Sequence, residues 1–69
     1  MIYEFEIRVQ DTRYSDKRKA WYGRSSDLDV KKKFDAKVES IKKANPDIYG
    51  IWLLINKLDD DGEFIEVIQ

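Results

Sequence analysis

Four acidic residues, Asp59, Asp60, Asp61 and Glu63, are the densest group of side chains in the chain that could hold a metal ion. A calcium loop needs acids at alternating positions before a glycine and a glutamate six residues after it. Counted from Gly62, Lys57 stands at the first ligand position and Ile68 at the last. The pattern therefore fails twice, and it favours a solvated acidic hairpin over a metal site.

A second group joins cations to aromatic rings, from Lys17 through Trp21 and Tyr22 to Arg24, and a run of lysines follows at the start of a predicted helix. Cations bind phosphates and rings stack on bases, so this segment suits nucleic acid. The residues of this alternative are Lys17, Arg18, Lys19, Arg24, Lys31, Lys32 and Lys33. Because consecutive helical side chains point about 100° apart, the competing interpretation is that the lysines are solvated and Trp21 is core.

No group of residues suggests catalysis. The chain has no His and no Cys, which removes the commonest general base, the commonest metal ligand and any thiolate nucleophile. Ser25, Ser26 and Ser40 lack a histidine base, and three scattered glycines make no phosphate-binding loop. The sequence predicts a non-enzymatic protein without catalytic residues, metal or cofactor.

Length and composition predict one small α+β domain over residues 1–69. No apolar stretch approaches the about 20 residues of a membrane span, and the alternating N-terminal segment does not resemble a signal peptide. We therefore expect a cytoplasmic protein with no membrane partner. Residues 13–43 carry a net charge of +6 between segments of −2 and −5, so a basic middle lies between acidic ends.

The elements that would position these residues follow from hydrophobic spacing. Strict alternation predicts a strand from Ile2 to Gln10, and Lys19 to Arg24 is a shorter strand candidate. A helix capped by Ser25 or Ser26 is predicted to end at Asn45, before Pro46. Its apolar stripe consists of Val30, Phe34, Val38, Ile41 and Ala44.

The C-terminal part predicts a hairpin. Residues 48–58 are apolar on both faces, as in a central strand, and residues 63–68 form the last strand after a turn at Gly62. The expected fold is ββαββ, a four-stranded, mainly antiparallel sheet with one helix packed on one face. The first and third strands are expected in the middle because they are the most apolar.

One helix can cover only one face of such a sheet, and the uncovered face should then be polar. The third strand breaks this rule, because Trp52 and Leu54 point away if Ile51, Leu53 and Ile55 face the helix. In the last strand, either Phe64 and Ile68 or Ile65 and Val67 must also point outward. Exposed apolar patches tend to mark interaction sites, although long charged side chains could instead fold over them.

These observations favour a protein-binding module, with Trp52, Leu54, Trp21 and Tyr22 as its anchors. A small inhibitor or regulator that docks a host protein through its sheet face or edge, including one encoded by a phage or other mobile element, fits the size and the lack of chemistry. A homodimer would be another use of the same surface. Nucleic-acid binding through residues 13–43 remains the alternative.

Overall fold

The fold has four strands and one helix, and a computed structural model describes all residues from 1 to 69. The chain order is β1 (Ile2–Gln10), β2 (Arg18–Ser25), α1 (Lys31–Ala44, preceded by a 3-10 turn at Leu28–Val30), β3 (Gly50–Leu58) and β4 (Phe64–Val67). The predicted ββαββ order is confirmed, and each strand lies within two residues of its expected bounds.

All four strands form one antiparallel sheet in the order β2-β1-β3-β4. The placement of β1 and β3 in the middle confirms the expectation drawn from their apolar composition. The β1–β3 pairing is regular over nine residue pairs, from Ile2 opposite Leu58 to Gln10 opposite Gly50. Both outer pairings contain an irregularity, next to Ile7 in one and next to Lys57 in the other.

The core lies between the sheet and α1. Phe5, Ile7, Val9 and Ile55 are fully buried, and Phe34 is the one buried residue of the helix. Val30, Val38 and Ile41 pack against this cluster from the same helical stripe, as their spacing predicts. Ala44, predicted on that stripe, is exposed in the last turn of the helix. The helix therefore covers one face of the sheet only.

The start of the helical segment differs from the prediction. Asp27, and neither serine, caps it: its carboxylate accepts a hydrogen bond from the backbone N–H of Asp29 at 2.9 Å. Ser25 accepts from the N–H of Asp27 at 3.0 Å and so holds the residue that caps. The difference arises because a 3-10 turn precedes α1, which moves the first free N–H groups along the chain.

A glycine conformation fixes one hairpin connection, and an ion pair stabilises the other. Between β3 and β4, Gly62 has a φ of +83°, the left-handed conformation that glycine adopts without strain. Between β1 and β2, Arg18 Nε and Nη2 donate to the Asp11 carboxylate at 3.0 and 3.2 Å. This pair raises the pKa of Arg18 and lowers that of Asp11 through its hydrogen bonds.

Candidate protein-binding surface

The sheet face that points away from α1 is called the open face below. Residues directly opposite in an antiparallel pair share a face. Because Glu4, Glu6 and Arg8 alternate with the buried residues of β1, they lie on the open face. Their partners on β3 are Asn56, Leu54 and Trp52, and those on β2 include Arg24, Tyr22 and Lys19.

The β1–β2 half of the open face is a network of paired charges. Glu4 accepts hydrogen bonds from the Tyr22 hydroxyl at 2.6 Å, from Arg24 Nη2 at 3.2 Å and from Asn56 Nδ2 at 3.2 Å. These bonds, that of Tyr22 above all, hold the pKa of Glu4 below its usual value. Hydrogen bonds to Tyr22 and Glu4 likewise raise the pKa of Arg24.

Glu6 is the centre of a second group of ion pairs in this network. Its carboxylate contacts the Arg8 guanidinium and lies 3.3 Å from Lys19 Nζ. Its side chain is only 14% exposed, although it lies on a sheet face with no element above it. The charges on this half therefore satisfy one another, and no buried side-chain polar atom lacks a partner.

The β3–β4 half of the open face is apolar. Trp52 and Leu54 alternate along β3, and Val67 lies on the same face because it is opposite Asn56. Phe64 is opposite Leu58, which alternates with Asn56 and Leu54 along β3 and so lies on this face too. We call Trp52, Leu54, Phe64 and Val67 the apolar strip. No helix covers it, Lys17 of the β1–β2 connection contacts only the Trp52 ring, and Trp52, Phe64 and Val67 are 38%, 61% and 63% exposed.

Trp52 is held in place from two sides. Its ring lies over Gly50, where an added Cβ would come within 2.5 Å of Cη2. The Nζ of Lys17 lies 4.4 Å from the ring centroid, a cation–π contact. Beside the ring is a shallow depression of about 230 Å³, lined in part by Arg8, Leu54 and Gln69. Typical ligand pockets are about 300–1,000 Å³, so the depression is of a size for one side chain of a partner.

The four predicted anchors do not lie together. Trp52, Leu54 and Tyr22 are on the open face, and the Tyr22 hydroxyl is occupied by Glu4. Trp21 lies on the helix side, with its ring centroid 5.6 Å from that of Phe34 and Lys37 Nζ 4.6 Å above it. Trp21 is still 45% exposed, at the border of the helix-covered core.

The predicted basic segment is also divided between the two sides. Lys19 and Arg24 lie on the open face, and the Lys17 ammonium lies over the Trp52 ring on the same face. Arg18 is opposite Val9 on the helix side and is paired with Asp11. The three helical cations, Lys31, Lys32 and Lys33, are carried by α1, and Lys31 forms an ion pair with Asp35 at 2.8 Å.

Two residues of this surface, Arg8 and Gln69, were not indicated as part of it by the sequence, and they line the depression beside Trp52. Val67 was named from the sequence only within one of two alternative orientations of the last strand. The signal for Arg8 was its alternation with the buried residues of β1. No sequence pattern indicated Gln69, because its position in the structure is set by backbone hydrogen bonds to Ile55 that extend the β3–β4 pairing.

The acidic turn is organised by its own backbone. Asp59 Oδ1 accepts hydrogen bonds from the N–H groups of Asp61 and Glu63, both at 2.9 Å. Its carboxylate thereby stabilises the turn that Gly62 closes. No group of three or more acidic side chains in the structure converges on a common point as metal ligands would.

Fold and surface together describe a small ββαββ domain with one face of its sheet open and half apolar. Comparison of the chain with protein-family models, with curated proteins and with solved structures gives no match. None of its helical segments is long and apolar enough to cross a membrane.

Proposed function

We propose that this protein is a non-enzymatic protein-binding module that docks the apolar strip onto another protein. The observation that carries the proposal is that Trp52 and Leu54 lie on a sheet face with no covering element. Large aromatic side chains in the middle of an apolar patch dominate binding energy at protein interfaces. Trp52 is the main anchor and Leu54 its neighbour.

The arrangement of Trp52 favours binding. Gly50 and Lys17 hold the ring in one position, so little side-chain entropy is lost when a partner covers it. The paired charges of Glu4 and Glu6 border the strip as a polar rim. Because those charges are already neutralised within the chain, we expect affinity to depend weakly on salt.

We extend the proposal to a biological role and a cellular location. A domain of 69 residues without His or Cys has little means of doing chemistry, and its surface is suited to blocking or recruiting another protein. We propose a small inhibitor or regulator acting in the cytoplasm, of the kind that phages and other mobile elements encode against host proteins. Size and the lack of catalytic residues support this, and no motif does.

The test is capture of a partner by the tagged protein from an extract of its own cells, repeated with Trp52→Ala and Tyr14→Ala. Tyr14 is 90% exposed in the β1–β2 connection and serves as the matched aromatic control. One protein retained by the wild type and by Tyr14→Ala, but not by Trp52→Ala, is expected. Its affinity should fall about 30-fold or more, the effect of a hot-spot residue.

Circular dichroism of each variant separates binding from folding. Trp52→Ala should keep the wild-type spectrum, because the ring lies outside the buried cluster. A variant that unfolds would make Trp52 a core residue and remove it as an anchor. A partner that binds Trp52→Ala as well as wild type would show that docking uses another surface.

Single-stranded nucleic acid is a second candidate, favoured by one observation. Tyr22 and Trp52 lie on the same face, and each has a lysine ammonium over its ring: Lys19 at 4.7 Å and Lys17 at 4.4 Å. Bases that stacked on these rings would displace the lysines toward the phosphates. The acids Glu4 and Glu6 between the two rings oppose this use of the face.

Titration of labelled single- and double-stranded DNA and RNA at about 50 and 200 mM salt decides this second candidate. Saturable binding should weaken steeply with salt, with the logarithm of the association constant falling by about 0.7–0.9 per phosphate contact for each tenfold rise in salt concentration. Replacing Lys17 and Lys19 by Glu should then abolish binding. Absence of binding at low salt would eliminate the candidate.

A further inference from the structure

The two edges of the sheet differ in how they are protected. β2 carries Arg18, Lys19 and Arg24 along one edge, and edge cations are a common device against pairing with another sheet. The other edge is β4, which has no cation and no proline. Both outer pairings contain an irregularity, so the cations of β2, which β4 lacks, are what distinguishes the two edges.

The β4 edge is apolar apart from Glu66, which forms an ion pair with Lys57 of β3 at 3.8 Å, and it is longer than its assigned strand. Phe64, Ile65, Val67 and Ile68 are 61%, 45%, 63% and 43% exposed. Backbone bonds continue past Val67, because the N–H of Ile68 donates to the carbonyl of Ile55 at 2.8 Å and Ile55 donates to Gln69 at 2.9 Å. The extended edge from 64 to 69 is therefore about 20 Å long at about 3.3 Å per residue.

The two ends of this edge carry opposite charge. The acidic turn, with Asp59, Asp60, Asp61 and Glu63, precedes Phe64. At the other end, Gln69 lies in the depression that Lys17 and Arg8 also line. Asp61 and Lys17 take part in none of the ion pairs of the chain. Each end therefore offers a charge that forms no ion pair within the molecule, Lys17 being in contact with the Trp52 ring only.

We propose that the β4 edge binds a second copy of this chain, with the two β4 strands antiparallel across a two-fold axis. Antiparallel pairing reverses one strand, so the acidic end of each copy lies beside the basic end of the other. The complementary contact occurs twice, as an isologous interface requires. The free N–H and C=O groups of both edges pair, and the two sheets become one of eight strands.

Self-association also supplies what the small core lacks. Only six residues of the chain are buried, and there is no disulfide. Domains of this size are commonly stabilised by disulfides, metals or a second subunit. The near-neutral net charge of −1 adds little repulsion between copies.

Sedimentation velocity of the purified chain between about 1 and 100 µM tests the interface, since this range spans micromolar dissociation constants. The wild type should move from monomer to a species of twice the 8.2 kDa chain mass. Val67→Lys places a cation on the edge and should keep the chain monomeric, whereas Tyr14→Lys, in the β1–β2 connection, should dimerise normally. A wild type that stays monomeric, or a Val67→Lys variant that dimerises as well as wild type, overturns the proposal.

A charge exchange tests the antiparallel arrangement. Asp61→Lys and Lys17→Glu each turn both end contacts from attraction to repulsion, so each variant alone should dimerise about tenfold more weakly. Mixed in equal amounts, they should form a heterodimer of near wild-type affinity, because every end contact again joins opposite charges. A mixture that associates no better than the separate variants overturns the arrangement. Circular dichroism confirms that all variants are folded, and none of these measurements depends on the partner of the apolar strip.

Discussion

Replacing Phe34 by Ala should remove the main attachment of the helix to the sheet. Phe34 is the one buried residue of α1, and it is 7% exposed. Its ring centroid lies 5.0 Å from that of Phe5 and 5.6 Å from that of Trp21. Its edge also covers Gly23, where an added Cβ would lie 3.2 Å from Cζ. One ring therefore joins α1 to both β1 and β2.

The size of the effect follows from burial. Truncating a buried Phe to Ala costs about 3–5 kcal/mol, through lost transfer energy and the cavity left behind. A core of this size supplies a net stability of only about 3–5 kcal/mol. The loss is as large as the total, so we expect Phe34→Ala to be mostly unfolded at 25 °C. Phe34→Leu keeps an apolar side chain in contact with Phe5 and should remain folded with a smaller loss.

Urea unfolding followed by far-ultraviolet circular dichroism measures the free energy of unfolding for each variant. Tyr14→Ala is the control, because Tyr14 is 90% exposed and its truncation should change stability by no more than about 0.5 kcal/mol. The reasoning is refuted if Phe34→Ala unfolds cooperatively with a loss as small as that of Tyr14→Ala. The helix would then be held by contacts other than this ring.

Three further outcomes follow from single contacts. Gly50→Ala should displace the Trp52 ring, since the added Cβ would come within 2.5 Å of it; a shifted Trp52 indole resonance with an otherwise unchanged amide spectrum would show this. The hydrogen bonds that Glu4 accepts, chiefly the one from Tyr22, lower its pKa. They should stabilise the fold fully above about pH 4.3, the ordinary pKa of a glutamate, and this stability should be lost as the pH falls through the lowered pKa of Glu4. Glu4→Gln should therefore flatten the dependence of the urea midpoint on pH between about 6 and 3, and an unchanged slope would contradict the assignment. Gly62→Ala, at a φ of +83°, should cost at least about 1 kcal/mol in urea unfolding, and a neutral result would mean that the turn has rearranged.

The strand order could not be predicted from the sequence, although the central positions of β1 and β3 were guessed correctly. β3 is apolar on both faces, which favours a central position, but β1 alternates and β4 is as apolar as β1, so composition does not decide between those two. The start of the helix could not be predicted, because Ser25, Ser26 and Asp27 are all good caps. Choosing among them required the 3-10 turn at Leu28–Val30, which the hydrophobic spacing does not indicate.

The alternation of the strands indicates which of the proposed anchor residues share a face. Trp52 and Leu54 are two residues apart, so the alternation of a strand places them on one face. The same alternation puts adjacent residues on opposite faces, so Trp21 and Tyr22 could not both be anchors of one surface. Which of the two faces outward depends on the pairing of β2 with β1, where Tyr22 lies opposite Glu6. No local pattern contains that register.

The opposite placement of the two tryptophans gives the molecule two built-in optical probes. Trp21 lies beside Phe34 on the helix side, and Trp52 lies beside Lys17 on the open face. A variant with Phe in place of Trp52 would emit only from the border of the core and so report unfolding. One with Phe in place of Trp21 would emit only from the open face and so report contact with a partner. Folding and docking can thus be observed separately, each with its own single-tryptophan variant and without an added dye.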